Sequence, residues 1–282
     1  MAKWVGSLSA PGTTAGLLLG APGILIAIIF VIPLAGIILM SLTEEPVGLQ
    51  GYLTFFTSSG YVNALVNTLR IGIIVTVLCV ILGFPYAWCM VHAGPVVRGL
   101  LIAALMIPMW TSMLVRTYAW LIILNPQGII NKALMGMGVI EQPLTLVHNL
   151  TGVLVGMTQI LLPLFVLPLF AVMHGYDQRL TRAAQSLGAR PSRAFMTVFV
   201  PAMTPGLVAG SLLVFIVAIG FFITPSLLGS PKETMISEVI QTQFSTTLDW
   251  KMGSTMATIL LIVTFVLLAI AARIGKLSKL GA

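Results

Sequence analysis

The sequence predicts an all-α integral membrane protein with six transmembrane helices. Three observations carry this. Of 282 residues, 58% are hydrophobic and 7% charged, and mean hydropathy is +1.08. A soluble domain carries roughly a quarter charged residues, so the bilayer must be the solvent for most of this chain. Apolar runs long enough to cross a bilayer, about 20 residues each, occur six times. Finally, the charges are sorted between alternate connecting segments.

The runs are taken in order. The first, Gly16–Leu42, follows Lys3 and is much longer than the roughly 7–15 apolar residues of a signal core, so a retained helix is expected. The second and third, Ala64–Val91 and Val96–Leu124, are separated by a tight turn around His92, Gly94 and Pro95. The fourth is Val147–Met173, the fifth Pro205–Leu228 and the sixth Met252–Ile274. No soluble domain or internal repeat is expected, so residues 1–282 read as one transmembrane domain. Pro108, Pro163, Pro168 and Pro225 fall inside the runs. Such prolines kink helices, either around a cavity or with no further role. Met235, Ile236, Val239 and Ile240 are spaced for an amphipathic helix at the outer surface within Pro231–Lys251.

Charge sets the orientation. Six spans put both termini on one side with the second and fourth connections. That side holds Lys3, Arg98, Arg179, Arg182, Arg190, Arg193, Arg273, Lys276 and Lys279 against Asp177 alone. The other holds Arg70, Arg116, Lys132, Lys232 and Lys251 against Glu44, Glu45, Glu141, Glu233, Glu238 and Asp249. By the positive-inside rule the first side is cytoplasmic. No basic patch is interleaved with aromatics, so nucleic acid is not an expected partner. Cys79 and Cys89 share one apolar run and are read as small core residues.

The most polar stretch is the cytoplasmic segment 177–201. Leu180, Ala183, Ala184 and Leu187 share one face of a short helix. Gly188 can supply its left-handed cap, and Pro191 can open a second helix. The expected product is a compact helix–turn–helix knob with four arginines. By composition alone, a basic inside loop is the preferred explanation.

The order of residues says more. Ala183-Ala184-Gln185-Ser186-Leu187-Gly188, followed by Phe199-Val200-Pro201 and Thr204-Pro205-Gly206, resembles the E-A-A-x-x-x-G signature loop of ABC importer permeases. Further stretches, Pro108–Trp120, Gly128-Ile129-Ile130-Asn131 and Phe222–Gly229, resemble the polyamine and opine branch of that family. The resemblance runs from about Asn63 onward. It implies that the loop is a coupling helix docking on a cytoplasmic ATPase through Arg182, Ala183, Ala184, Leu187, Gly188, Arg190 and Pro201. Arg182 stands where the family usually has Glu. The implied partners are a second permease subunit, a dimer of ATPases that binds the ATP and magnesium, and an extracytoplasmic solute-binding protein. The implied location is the bacterial inner membrane.

Pathway candidates are Trp110, Arg116, Tyr118, Phe221, Phe222 and Glu238. An arginine inside an apolar run is costly and either pairs, snorkels or works. Aromatic faces can attract amine cations, and Glu238 could guard the outer entrance. The assigned runs contain no Asp or Glu, which suits a zwitterionic or singly charged amine better than a polycation. The single Gly-Lys pair, Gly275-Lys276, is followed by Leu277 and lacks the spacing of a phosphate loop. Neither a metal site nor a catalytic group is expected. Two rival readings remain: an ion-coupled secondary transporter, which would show buried coupling charges or repeated broken helices, and a membrane subunit without transport.

Overall fold

The computed structural model describes residues 13–45 and 47–280, with side chains for 25–45, 47–271 and 273. Thirteen α-helices are present among them, and no strand: α1 Thr13–Thr43, α2 Gln50–Thr57, α3 Ser59–His92, α4 Pro95–Met109, α5 Met113–Leu124, α6 Ile129–Gly136, α7 Leu150–His174, α8 Arg179–Ser186, α9 Pro191–Ala194, α10 Val200–Ile219, α11 Ile223–Leu228, α12 Ile236–Thr242 and α13 Trp250–Leu280. Five segments are long and apolar enough to cross a membrane, and a bent pair makes a sixth. Lys3 lies outside the described residues.

The centre is a bundle of α3, α7 and α10. Its three helices approach closely because glycines face one ring. Gly83 of α3 and Gly210 of α10 both pack on Phe165 of α7, and a Cβ at Gly210 would lie 2.8 Å from the Phe165 carbonyl. Lipid tails are as apolar as leucine, so helices in a bilayer associate by such close packing rather than by expelling water. Phe165, Val166 and Leu169 are fully buried there. A second core, around Phe55, Ile236 and Met256, joins α2, α12 and α13 to the start of α3. The α1 helix lies along α13.

Three expected elements differ. The run Val96–Leu124 is not one helix: α4 and the segment Met113–Gly136 meet at 102°. Pro108 is the last residue but one of α4, and its carbonyl accepts from the Thr111 N–H at 3.2 Å and the Thr111 hydroxyl at 2.7 Å. Fifteen residues at 1.5 Å each reach about 22 Å, short of the ~30 Å hydrocarbon core, so α4 alone cannot span. The fifth span starts earlier and ends earlier than Pro205–Leu228. A continuous helix runs Pro191–Ile219, through α9, a π-turn at Phe195–Phe199 and α10. It stops at Gly220, and α11 is a separate short helix. By contrast, Pro163 and Pro168 sit inside an unbroken α7. The outer amphipathic helix is shortened to α12, and it is not laid on a surface: Met235 and Ile236 are fully buried.

Backbone demands explain the connecting segments. Gly128 is wedged against three carbonyls, with a Cβ there only 2.6 Å from the Ile122 oxygen. Fully buried Asn131 then staples the loop: its Nδ2 donates to the Asn125 and Leu144 carbonyls, and its Oδ1 accepts from the Leu144 N–H at 2.8 Å. Between α3 and α4 the guanidinium of Arg98 donates to the carbonyls of Met90, Val91 and Ala93, capping the end of α3. Arg98 therefore does structural work.

Candidate functional site: the α8 knob and the two broken helices

Two regions gather the residues singled out in the sequence. The first is the knob. Helix α8 ends at Leu187, and Gly188 adopts φ +90°. The Gly188 N–H donates to the Gln185 carbonyl at 2.9 Å, and the Ala189 N–H to the Ala184 carbonyl at 3.1 Å. This paired closure is a Schellman cap, which a residue without a Cβ makes at no steric cost. Arg190 precedes the α9 start, and Pro191 occupies the first helical position, so the chain reverses and feeds straight into the long fifth span. Pro201 is exposed near the start of α10.

The faces of α8 are arranged in an unusual way. Its apolar stripe points out: Leu180 is 56% exposed and Leu187 90%, with Ala183 exposed between them and Ala184 half-buried. Its polar stripe, Thr181, Arg182 and Gln185, turns toward the bundle and roofs a cavity of about 220 Å³. Trp88, Tyr176, Phe195 and Phe199 wall that cavity. Trp88 and Phe199 stand at 90° with centroids 4.8 Å apart, as do Tyr176 and Phe199 at 5.2 Å. The Tyr176 and Thr181 hydroxyls bond at 2.7 Å, tying α8 to the end of α7.

The second region lies at the opposite end of the bundle. Helix α5 follows one break, at Trp110–Ser112, and α11 the other, at Gly220–Phe222. The two helices pack together, and buried Thr117 and Thr224 join by their hydroxyls at 3.2 Å. Ser237, at the start of α12, donates to the Phe221 carbonyl. The second break is thereby tied to α5 and to α12, each of which carries pathway candidates. Trp110 is 90% exposed and Tyr118 52%. Phe222 is at the surface, but Phe221 is only 7% exposed and belongs to the core; of the two adjacent phenylalanines, only Phe222 presents a ring. Arg116 is half-buried, and its Nε finds no hydrogen-bond partner among the described residues. Glu238 is half-buried. Burial raises its carboxyl above the ordinary value, opposed in part by a hydrogen bond from the Met235 backbone.

Sequence reasoning missed Thr117, Thr224, Ser237 and the Trp120–Gln159 bond at 3.2 Å. Their signal was present: hydroxyl and amide side chains inside apolar helices tend to join helices. Among the described residues no group of His, Cys, Asp and Glu is placed to hold a metal.

No protein-family profile matches the chain. Individual relatives do. The chain is 36% identical over 217 residues to the spermidine/putrescine transport system permease protein PotB of Salmonella typhimurium, covering 77% of this chain and 76% of that one. The chain belongs to the ABC importer permeases of the PotB type. The corresponding protein of Haemophilus influenzae is 32% identical to this permease over 232 residues, covering 82% and 81%. A bacterial alginate ABC transporter, solved in complex with alginate pentasaccharide-bound periplasmic protein, contains a chain that superposes with TM-score 0.71 at 19% identity. It covers 94% of this permease and 96% of the alginate chain, and it shows that the fold is shared. The permease is a transport subunit, as its relatives are named.

Proposed function

We propose that this permease forms half of the translocation pathway of an ATP-driven importer for small amine-bearing solutes of the polyamine class. It sits in the bacterial inner membrane with both termini and α8 in the cytoplasm. There the outward apolar stripe of α8, with Leu180, Ala183 and Leu187, docks on one of two ATPase subunits, which bind ATP and magnesium. Ala184, Gly188, Arg190 and Pro201 hold that stripe in place. At the opposite end, Trp110, Arg116, Tyr118, Phe222 and Glu238 border the pathway beside a second permease subunit of different sequence. A solute-binding protein delivers the solute there.

One observation carries the coupling role. A helix that leaves its leucines in water presents an apolar stripe suited to cover by another protein's surface. The polyamine assignment is supported by the relatives, which are named for spermidine and putrescine. A zwitterionic or singly charged amine is the second reading. It is favoured by the unpartnered Arg116 Nε and by spans without carboxylates, which leave a polycation uncompensated in this chain.

The test is uptake into proteoliposomes by the whole complex with its cognate binding protein, comparing spermidine and putrescine with amino-acid-like and opine-like amines. Selective spermidine uptake establishes the first reading and places the compensating acids on the second permease. Selective uptake of a single-charge amine establishes the second. Loss of ATPase pull-down on deleting residues 181–193, with membrane insertion intact, tests the docking role.

A further inference from the structure

Arg182, which the resemblance assigns to docking on an ATPase, has a second setting. It departs from the family's usual Glu, and it lies on the stripe of α8 that roofs the cavity, not on the exposed leucine stripe. We propose that this cavity is a binding site for the phosphate headgroup of an anionic phospholipid from the cytoplasmic leaflet.

The cavity has the right depth. It is walled by Trp88 near the end of α3 and by Tyr176 just beyond the end of α7. Tryptophan and tyrosine concentrate at the headgroup level of a bilayer, where one end of the ring is apolar and the other wet.

It also has the right size. At about 220 Å³ it is smaller than the roughly 300 Å³ at which drug-sized pockets begin, so it suits a headgroup better than a large solute. Its roof supplies donors: the Arg182 guanidinium, the Gln185 amide and the Thr181 hydroxyl. A guanidinium matches two phosphate oxygens at once. His92 lines the same cavity, with its Nδ1 already engaged by the Trp88 carbonyl at 2.9 Å. The same segment of sequence supplies Arg179, Arg190 and Arg193 against Asp177 alone, and the Asp177 carboxylate accepts from the Arg179 N–H. Basic pockets between helices on the cytoplasmic side are where anionic headgroups bind. A carboxylate at position 182 would give this roof the opposite preference. The charge reversal and the cavity thus explain each other.

A headgroup held there would brace α8 against the bundle, because roof and walls belong to different elements. The proposal rests on the cytoplasmic placement of α8, but lipid retention can be measured without transport. The experiment is native mass spectrometry of the delipidated whole complex, re-equilibrated with phosphatidylglycerol or phosphatidylcholine. Four preparations are compared: wild type, R182E, R182K and wild type with excess glycerol 3-phosphate. The wild type is expected to retain an additional phosphatidylglycerol and no matching phosphatidylcholine. R182E should weaken this retention by roughly tenfold or more, the loss expected of a charge-assisted pair, and R182K should preserve most of it. Arg182 is exposed, so neither variant threatens folding. Equal retention by wild type and R182E, or equal retention of both lipids, overturns the proposal. Displacement by glycerol 3-phosphate also overturns it, by showing that the source of the phosphate is soluble. Retained ATPase pull-down after deletion of residues 181–193, with lipid retention by the wild type intact, would refute the docking role and leave this site standing.

Discussion

At the residue scale, Gly188 and Asn131 show how much a single position can fix. Gly188 holds φ +90°, which costs a residue with a Cβ about 1 kcal/mol or more. Open space surrounds it, so a larger side chain meets no clash and the penalty is purely conformational. Gly188→Val is expected to leave insertion and thermal stability near wild type, while abolishing solute-stimulated ATP hydrolysis in the reconstituted complex. Normal stimulation would refute the role of the turn. Asn131→Ala should behave in the opposite way. It strands the Leu144 N–H and two carbonyls, at a cost of roughly 1–3 kcal/mol for a buried orphaned group. A lower melting temperature in detergent, with ATPase binding retained, is the expected outcome. Glu238 predicts a pH effect. Burial raises its carboxyl, so its contribution to stability is present below the unfolded value and is lost as pH rises through the folded one. Glu238→Gln should therefore flatten the change in melting temperature between acidic and neutral buffers. An unchanged pH profile would show that the group is not desolvated.

At the scale of the element, the sequence was legible where a local rule decided the outcome. The helix–turn–helix of segment 177–201 followed from Leu180 spacing, a glycine at the cap and a proline at the next first turn, and the backbone has that form. The α7 span was equally plain, because apolar length alone defines it. Legibility failed where an apolar run conceals a break. Trp110, Thr111 and Ser112 between Met109 and Met113 make a dip too short to end an apolar run, yet the chain turns by 102° there. Of four flagged prolines, Pro108 and Pro225 lie near breaks while Pro163 and Pro168 lie inside an unbroken helix, and hydropathy does not register the difference. Nor did hydropathy show that Phe221 faces inward while Phe222 does not, since adjacent residues at a helix end change sides with small changes of backbone angle. The glycine contacts of Phe165 were also invisible, because each requires knowing which helices meet. They carry a prediction at this scale. Phe165→Ala should cost about 3–5 kcal/mol, as deletion of a buried aromatic ring does, and should lower the yield of folded permease. Gly210→Val should do the same by forcing α10 off α7. Wild-type stability of either variant would mean that the three-helix contact is not the centre of the bundle.

At the scale of the whole molecule, the charge asymmetry makes the topology testable. Single cysteines at Ser192 and at Gly138 should label from opposite sides of the membrane, with Ser192 accessible from the cytoplasm. Labelling from the same side would overturn the orientation. The paired breaks also remove part of the distinction on which a rival was judged. Broken helices were expected of an ion-coupled transporter, and this permease has two, side by side, in α4–α5 and α10–α11. Kinship decides in favour of the ABC importer class. The breaks show that interrupted helices beside a candidate pathway are not peculiar to secondary transport.

The segment leading into α12 is fastened at several points. Asn67 of α3 donates to the Lys232 carbonyl at 2.7 Å, Thr68 accepts from the Ile236 N–H at 2.8 Å, and Ser237 donates to the Phe221 carbonyl. A strap tied both to α3 and to the break after α10 couples the two, so they are expected to move together, with opening and closing between subunits. Spin labels at Gly60 and Gln241 should keep one separation throughout the ATP cycle, while the distance from either to the second permease alternates between two values.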